Sequence, residues 1–170
     1  MKIRITPKGH LEVDDAILKF RNFEGREEKF NRAGERNFIL VIPNEEIKDL
    51  LINDVNEYGV GWNVSIKESK EEGDPPYMQL KVKVKFNQYG PRVYLKSNGK
   101  TKRLDEDRAY MLDKIDIETV DLDIRPFDTI VNDKPYRTAY LDSIYVTQAV
   151  DRFEARMAME EFPGEDEMPF

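Results

Sequence analysis

Along most of this chain apolar and polar residues alternate with a period of two, the pattern of strands with one buried face. Lys2–Thr6 (KIRIT) alternates and then turns at Pro7-Lys8-Gly9. Ala16–Phe23 (AILKFRNF) and Asn37–Ile42 (NFILVI) are rich in the β-branched and aromatic residues that fit a pleated surface. Further strands are predicted at Trp62–Lys67, Met78–Asn87, Arg92–Ser97, Ile117–Arg125 and Thr138–Thr147, with Trp62 in the core. The polar stretches Glu24–Arg36 and Lys67–Pro76 read as loops.

Helical spacing is clear in one place. Asn44 can cap a helix, Glu45 and Glu46 suit its first turn, and Ile47, Leu50, Leu51 and Val55 form one apolar stripe. Gly59 or Gly61 is expected to end it, and a second, short helix is predicted at Glu106–Leu112. There is no internal repeat. The fold class this predicts is mainly β (α+β), a barrel or sandwich with one added helix. Residues 1–150 read as one domain, and residues 151–170 as a helical stub followed by a disordered acidic tail.

Composition narrows the chemistry. The 170 residues include 18 aromatics (nine Phe, eight Tyr, one Trp), enough for a genuine core. The absence of Cys excludes disulfides, thiolate zinc sites and Cys nucleophiles. The single histidine, His10, excludes a His-rich metal centre, argues against a Ser-His-Asp triad, and reads as a solvated turn residue. No phosphate-binding glycine motif is present. No cofactor, metal site or catalytic residue is expected. With no apolar run of signal-peptide or membrane-spanning length, a soluble protein of the cytoplasm with no membrane partner is expected.

Charge is unevenly placed. Five of the seven excess negative charges lie in the last eleven residues, EEFPGEDEMPF, so the body is near neutral. Within it, Pro75–Leu104 stands out. At the chain-wide frequency of 34 acids in 170 residues this window should hold about six; it holds none, and it carries Lys81, Lys83, Lys85, Arg92, Lys96, Lys100, Lys102 and Arg103. In MQLKVKVKFN, Leu80, Val82, Val84 and Phe86 face one way and Gln79, Lys81, Lys83 and Lys85 the other. In RVYLK, Val93 and Leu95 take the core face, which sends Arg92, Tyr94 and Lys96 outward. If NQYGP closes a hairpin, the two outward faces coincide, giving five cations around a tyrosine. Cations that track phosphates, beside a ring on which a base can stack, are what single-stranded nucleic acid binding needs. Outward lysines also serve simply to keep a strand edge from aggregating.

A second cluster, Arg26, Lys29, Arg32 and Arg36, lies in the loop after Phe23 with Phe30 and Phe38. Its four glutamates make a solvated loop one reading and a flexible arm over a bound strand the other. The acids Asp105, Glu106, Asp107, Asp113 and Asp116 fit a helix cap and a solvated face better than a metal site. Convergence of Asp105, Asp107 or Asp121 would instead indicate a metal-dependent nuclease. A non-enzymatic phage component that offers the basic face to an acidic protein is the other alternative.

The run ILKFRNFEG, KFNRAGERNFILVI, GWNVSIK, VKVKFN, PRVYL, TKRLDED, VDLDIRPFD and TAYLDSIYVT resembles phage-type single-stranded DNA-binding proteins over Ile17–Thr147. The resemblance implies an OB-fold-like antiparallel β-barrel and a non-enzymatic protein that coats single strands in phage replication and recombination, in the host cytoplasm. The final EDEMPF is similar to the acidic tip of bacterial single-stranded DNA-binding proteins. That similarity implies that Glu165, Asp166, Glu167, Met168, Pro169 and Phe170 bind replication or recombination proteins.

Overall fold

The computed structural model describes residues 1–68, 72–73 and 75–150. Ten strands and one α-helix follow in the order β1 (Lys2–Ile5), β2 (Leu11–Asp14), β3 (Leu18–Asn22), β4 (Arg36–Ile42), α1 (Glu45–Asn53), β5 (Val64–Lys67), β6 (Tyr77–Val84), β7 (Arg92–Ser97), β8 (Lys100–Leu104), β9 (Ile117–Val131) and β10 (Lys134–Gln148). A short 3-10 turn, Ala109–Asp113, stands where the second helix was predicted, and the Asp105 carboxylate accepts from the Arg108 amide just before it. Among the described residues no helix is long and apolar enough to cross a membrane.

All ten strands join in one sheet whose main path runs β1-β2-β9-β10-β6-β4-β3. The result is the expected mainly β, OB-like architecture, curled but not closed by a ladder. The chain crosses the gap after β2: the Ala16 amide donates to Val120 on β9, and the Val41 amide on β4 donates to Ile17. Both long hairpins turn at residues with positive φ, Asn132-Asp133 between β9 and β10 and Asn98-Gly99 between β7 and β8. Two left-handed residues in succession match the twist of paired strands, which is why Asn, Asp and Gly are found there.

The pairing of β6 and β7 corrects the hairpin expectation. Neither pairs with the other. Both run parallel to β10 and occupy one edge of it in succession, Ala139–Tyr140 opposite Val82–Lys83 and Ser143–Thr147 opposite Arg92–Lys96. Between them β10 has a bulge, where register passes from Leu141 to Ser143 and Asp142 is extra. The hairpin partner of β7 is instead β8, at KTKRL, whose polar sequence gave no strand signal.

Leu80, Val82, Val84, Val93 and Leu95 are buried as the alternation predicts, together with Phe23, Phe38 and Trp62. In α1 the Asn44 side chain accepts from the Ile47 amide, as expected. The helix ends earlier than predicted, at Asn53, and Val55 is exposed; only Leu51 of the stripe is fully buried. The next segment passes close to this helix end at Gly61, where a Cβ would lie 2.1 Å from the Ile52 carbonyl oxygen. Arg137 locks this corner. Only 7% of its side chain is exposed; it donates to the Asp54 carbonyl at 2.6 Å and to Asp128 at 2.8 Å, and its guanidinium lies over the Trp62 ring.

Candidate nucleic-acid interface

The outer face of the sheet, opposite the core, carries the candidate site in two parts. The first lies over β3, β4 and β6. Strand pairing sets Lys19 beside Ile39, Ile39 beside Lys81 and Asn37 beside Lys83, so the alternation of β6 brings its lysines against the outward residues of its neighbours. A groove of about 860 Å³ opens here, and Lys19, Lys29, Lys67 and Lys81 line it with Phe20, Phe30 and Tyr77; Glu28 and Glu68 are the acids on its wall. The Lys19 ammonium sits 4.0 Å from the centre of the Tyr77 ring.

Phe20 and Phe30 are 71% and 86% exposed, which for two neighbouring phenyl rings calls for an explanation. Register slips between Lys19 and Asn22, and Phe20 takes φ of +53°. A bulky residue in the left-handed region is strained, and a bulge there re-aims its side chain. The strain therefore serves to hold Phe20 in the groove rather than in the core. Phe30 is carried by a loop that is tied down by hydrogen bonds. The buried Asn22 carboxamide accepts from the Gly25 and Arg26 amides, and Asn31 donates to the Arg26 and Glu35 carbonyls while accepting from Asn37. The Asp113 carboxylate accepts from the Phe23 and Glu24 amides and pins the start of the loop.

Among the predicted loop cations, Lys29 faces the groove, its ammonium 5.4 Å from the Phe30 ring centre. Arg32 is exposed. Arg26 donates to the Arg21 carbonyl and lies near Glu24 and Glu28. Arg36 is structural: it donates to the Phe23 carbonyl, pairs with Glu106 at 3.0 Å and covers the Phe86 ring.

The second part of the face lies on β7, β8 and β10. Tyr94 pairs with Tyr145, their ring centres 6.3 Å apart, with Lys96 and Arg103 exposed beside them. Lys100 and Lys102 alternate with Thr101 and Arg103, which places them in register with Ser97 and Leu95 on the opposite face from Tyr94. Lys85 lies just beyond β6 and is exposed. Arg92 is in acidic company: Asp142 is 3.7 Å away, and a shallow depression of about 340 Å³ joins Arg92 and Tyr94 to Glu12, Asp14, Asp121 and Asp123. Hence the acid-free window of the sequence does not give an acid-free face, because β2 and β9 bring their carboxylates to it.

His10 corrects another expectation. Its ring is half-buried, with Nδ1 2.7 Å from Asp123 Oδ1. Asp121 accepts from the Asp15 amide, and among the described residues it forms no metal-ligand cluster with Asp105 or Asp107. The acidic tip, Glu165–Phe170, lies outside the described residues.

Sequence reasoning missed Phe20, Lys19, Lys67 and Tyr77. A signal for Phe20 was present, because Leu18, Phe20 and Phe23 change parity and a regular strand cannot bury all three.

The family profile of a phage ssDNA-binding domain matches residues 2–168. No curated protein matches the chain. Among solved structures, the chain is similar to the single-stranded DNA-binding protein from bacteriophage Enc34. For its complex with ssDNA the TM-score is 0.54 at 14% identity, covering 89% of this chain and 93% of that one. The C-terminal truncation of the same protein gives 0.54 at 14% identity over 88% and 91%, and a further structure of it gives 0.54 at 13% over 89% and 87%. At such identities the likeness is one of fold.

Proposed function

The chain belongs to the phage ssDNA-binding domain family, and from that premise we propose that it binds single-stranded DNA, without sequence preference and without catalysis, along the groove over β3, β4 and β6. The observation that carries this is Phe20, turned out of the core at φ +53° and left 71% exposed in the groove that Phe30, 86% exposed, also lines. Two exposed rings offer stacking to any base, and the ammonium groups of Lys19, Lys29, Lys67, Lys81 and Lys83 would follow the phosphates. The Tyr94–Tyr145 pair with Lys96 and Arg103 extends the track along β10.

Stacking is indifferent to base identity because every base has a π-face, so affinity comes without sequence readout. Duplex DNA hides its bases and satisfies only the cations. The role that fits is coating of single strands during phage DNA replication and recombination in the host cytoplasm. The tip Glu165–Phe170, with acids ahead of Met168, Pro169 and Phe170, would recruit partner proteins by its acids and its phenyl ring.

The test is fluorescence anisotropy with labelled single-stranded and duplex oligonucleotides at several salt concentrations. Five neutralised phosphates give a slope of log K against log salt of about −3.5 for a single strand. A slope near zero, or equal affinity for duplex, overturns the reading.

A further inference from the structure

We propose that His10, Asp123 and Asp142 form a binding site for a first-row divalent transition metal, of which Zn²⁺ is the best match. Three separate parts of the chain meet here: the turn between β1 and β2, the middle of β9, and the bulge of β10. One ring nitrogen and two carboxylate oxygens lie within 4.8 Å of one another, and all three residues are half-buried. Tetrahedral ligands at about 2.0–2.1 Å from zinc stand about 3.3 Å apart, so closing the site needs only a small side-chain rotation. The bulge is what makes the third ligand available. Leu141 pairs with Ile124 and Ser143 with Asp123, and the extra residue, Asp142, adds a carboxylate to the side of Asp123.

The donor set favours Zn²⁺ over Mg²⁺ or Ca²⁺, because the hard cations take oxygen ligands and gain little from an imidazole. Binding through Nδ1 takes the place of the His10–Asp123 hydrogen bond, and the neutral ring then carries its one proton on Nε2. It also has a consequence for the face next to it, which rests on the single-strand binding proposed above. The cation's two positive charges offset the two carboxylates, and Asp142 no longer holds Arg92, whose guanidinium is 3.7 Å from it. The guanidinium then turns to phosphate.

The site is tested without DNA, so its failure is distinct from failure of the DNA-binding reading. His10 is the single histidine of the chain, which makes its ring-proton NMR signals a unique reporter once any affinity tag is removed. The acidic C-terminal residues can attract cations but contain no imidazole, so they leave these signals alone. In the full chain, ZnSO₄ should shift the His10 signals to saturation at one equivalent and MnCl₂ should broaden them, whereas MgCl₂ at the same concentration does neither. Asp142→Asn should raise the Zn²⁺ concentration needed at least tenfold, and Asp123→Asn provides an independent second variant. His10 signals that do not respond to Zn²⁺, or that respond alike in the wild type and both variants, overturn the proposal.

Discussion

Replacing Phe20 by alanine should separate binding from folding. The ring is 71% exposed, so its removal uncovers little apolar surface, and stability should stay within about 0.5 kcal/mol of wild type. A base stacked on the ring is worth about 1–3 kcal/mol, which is about 5- to 150-fold in Kd. The charge is untouched, so the slope of log K against log salt should not move. Lys81→Ala should do the reverse, with a flatter slope by about 0.7 and a smaller loss at high salt. A third variant uses the backbone. At φ +53° a residue with a Cβ is strained by about 1–2 kcal/mol, and glycine is not. Phe20→Gly should therefore bind as weakly as Phe20→Ala while unfolding at the same or a higher temperature. Anisotropy titrations at two salt concentrations and thermal melts read both quantities. If Phe20→Ala lowers the melting temperature and leaves Kd unchanged, the ring is a structural element and the groove is not the stacking site.

Other expectations are as direct. Gly61→Ala should destabilise by about 1–3 kcal/mol or more in denaturant melts, since the new methyl meets the Ile52 backbone and not a movable side chain. Arg92→Ala should weaken single-strand binding less than Lys81→Ala in the same titrations, because Asp142 already offsets the arginine. The hydrogen bond from Arg137 holds the Asp128 carboxyl below the ordinary aspartate range. A lowered folded-state pKa means the stabilisation is complete above the unfolded value, about 3.9, and is lost as pH falls through the folded value. Wild type should therefore be more stable than Asp128→Asn at pH 7, with the gap closing below about pH 4 in pH-dependent melts.

What could be read from the sequence was whatever depends on neighbours along the chain. The alternation of Leu80, Val82 and Val84 with lysines needs only a period of two, and the Asn44 cap needs only three residues of reach. Strand partners depend on distant residues, and so NQYGP looked like a hairpin although both flanking strands are claimed by β10, some fifty residues on. The acids around Arg92 were invisible for the same reason, since Asp121 and Asp123 reach it only through the β9–β10 ladder. Phe20 was misjudged for the opposite reason. Propensity put it in a regular strand, and a single slipped residue turned it to the other side.

Setting β6 and β7 end to end makes β10 a common rail, with each strand fastened to it by its own bonds. The span 85–91 between them keeps only a local register, the bridge between Asn87 and Gly90. Lengthening it there costs the two backbone hydrogen bonds of that bridge and closure entropy of about 0.6 kcal/mol for each doubling. Tyr89, 85% exposed near its middle, marks a natural splice point. A reporter peptide or an extra domain inserted there would ride on the outer surface while both lysine-bearing strands stayed in place. By the same logic the β7–β8 hairpin behaves as a cassette. Its exposed residues can change while Val93, Leu95 and Leu104 stay in the core, altering one end of the proposed DNA track without rebuilding the aromatic groove at the other.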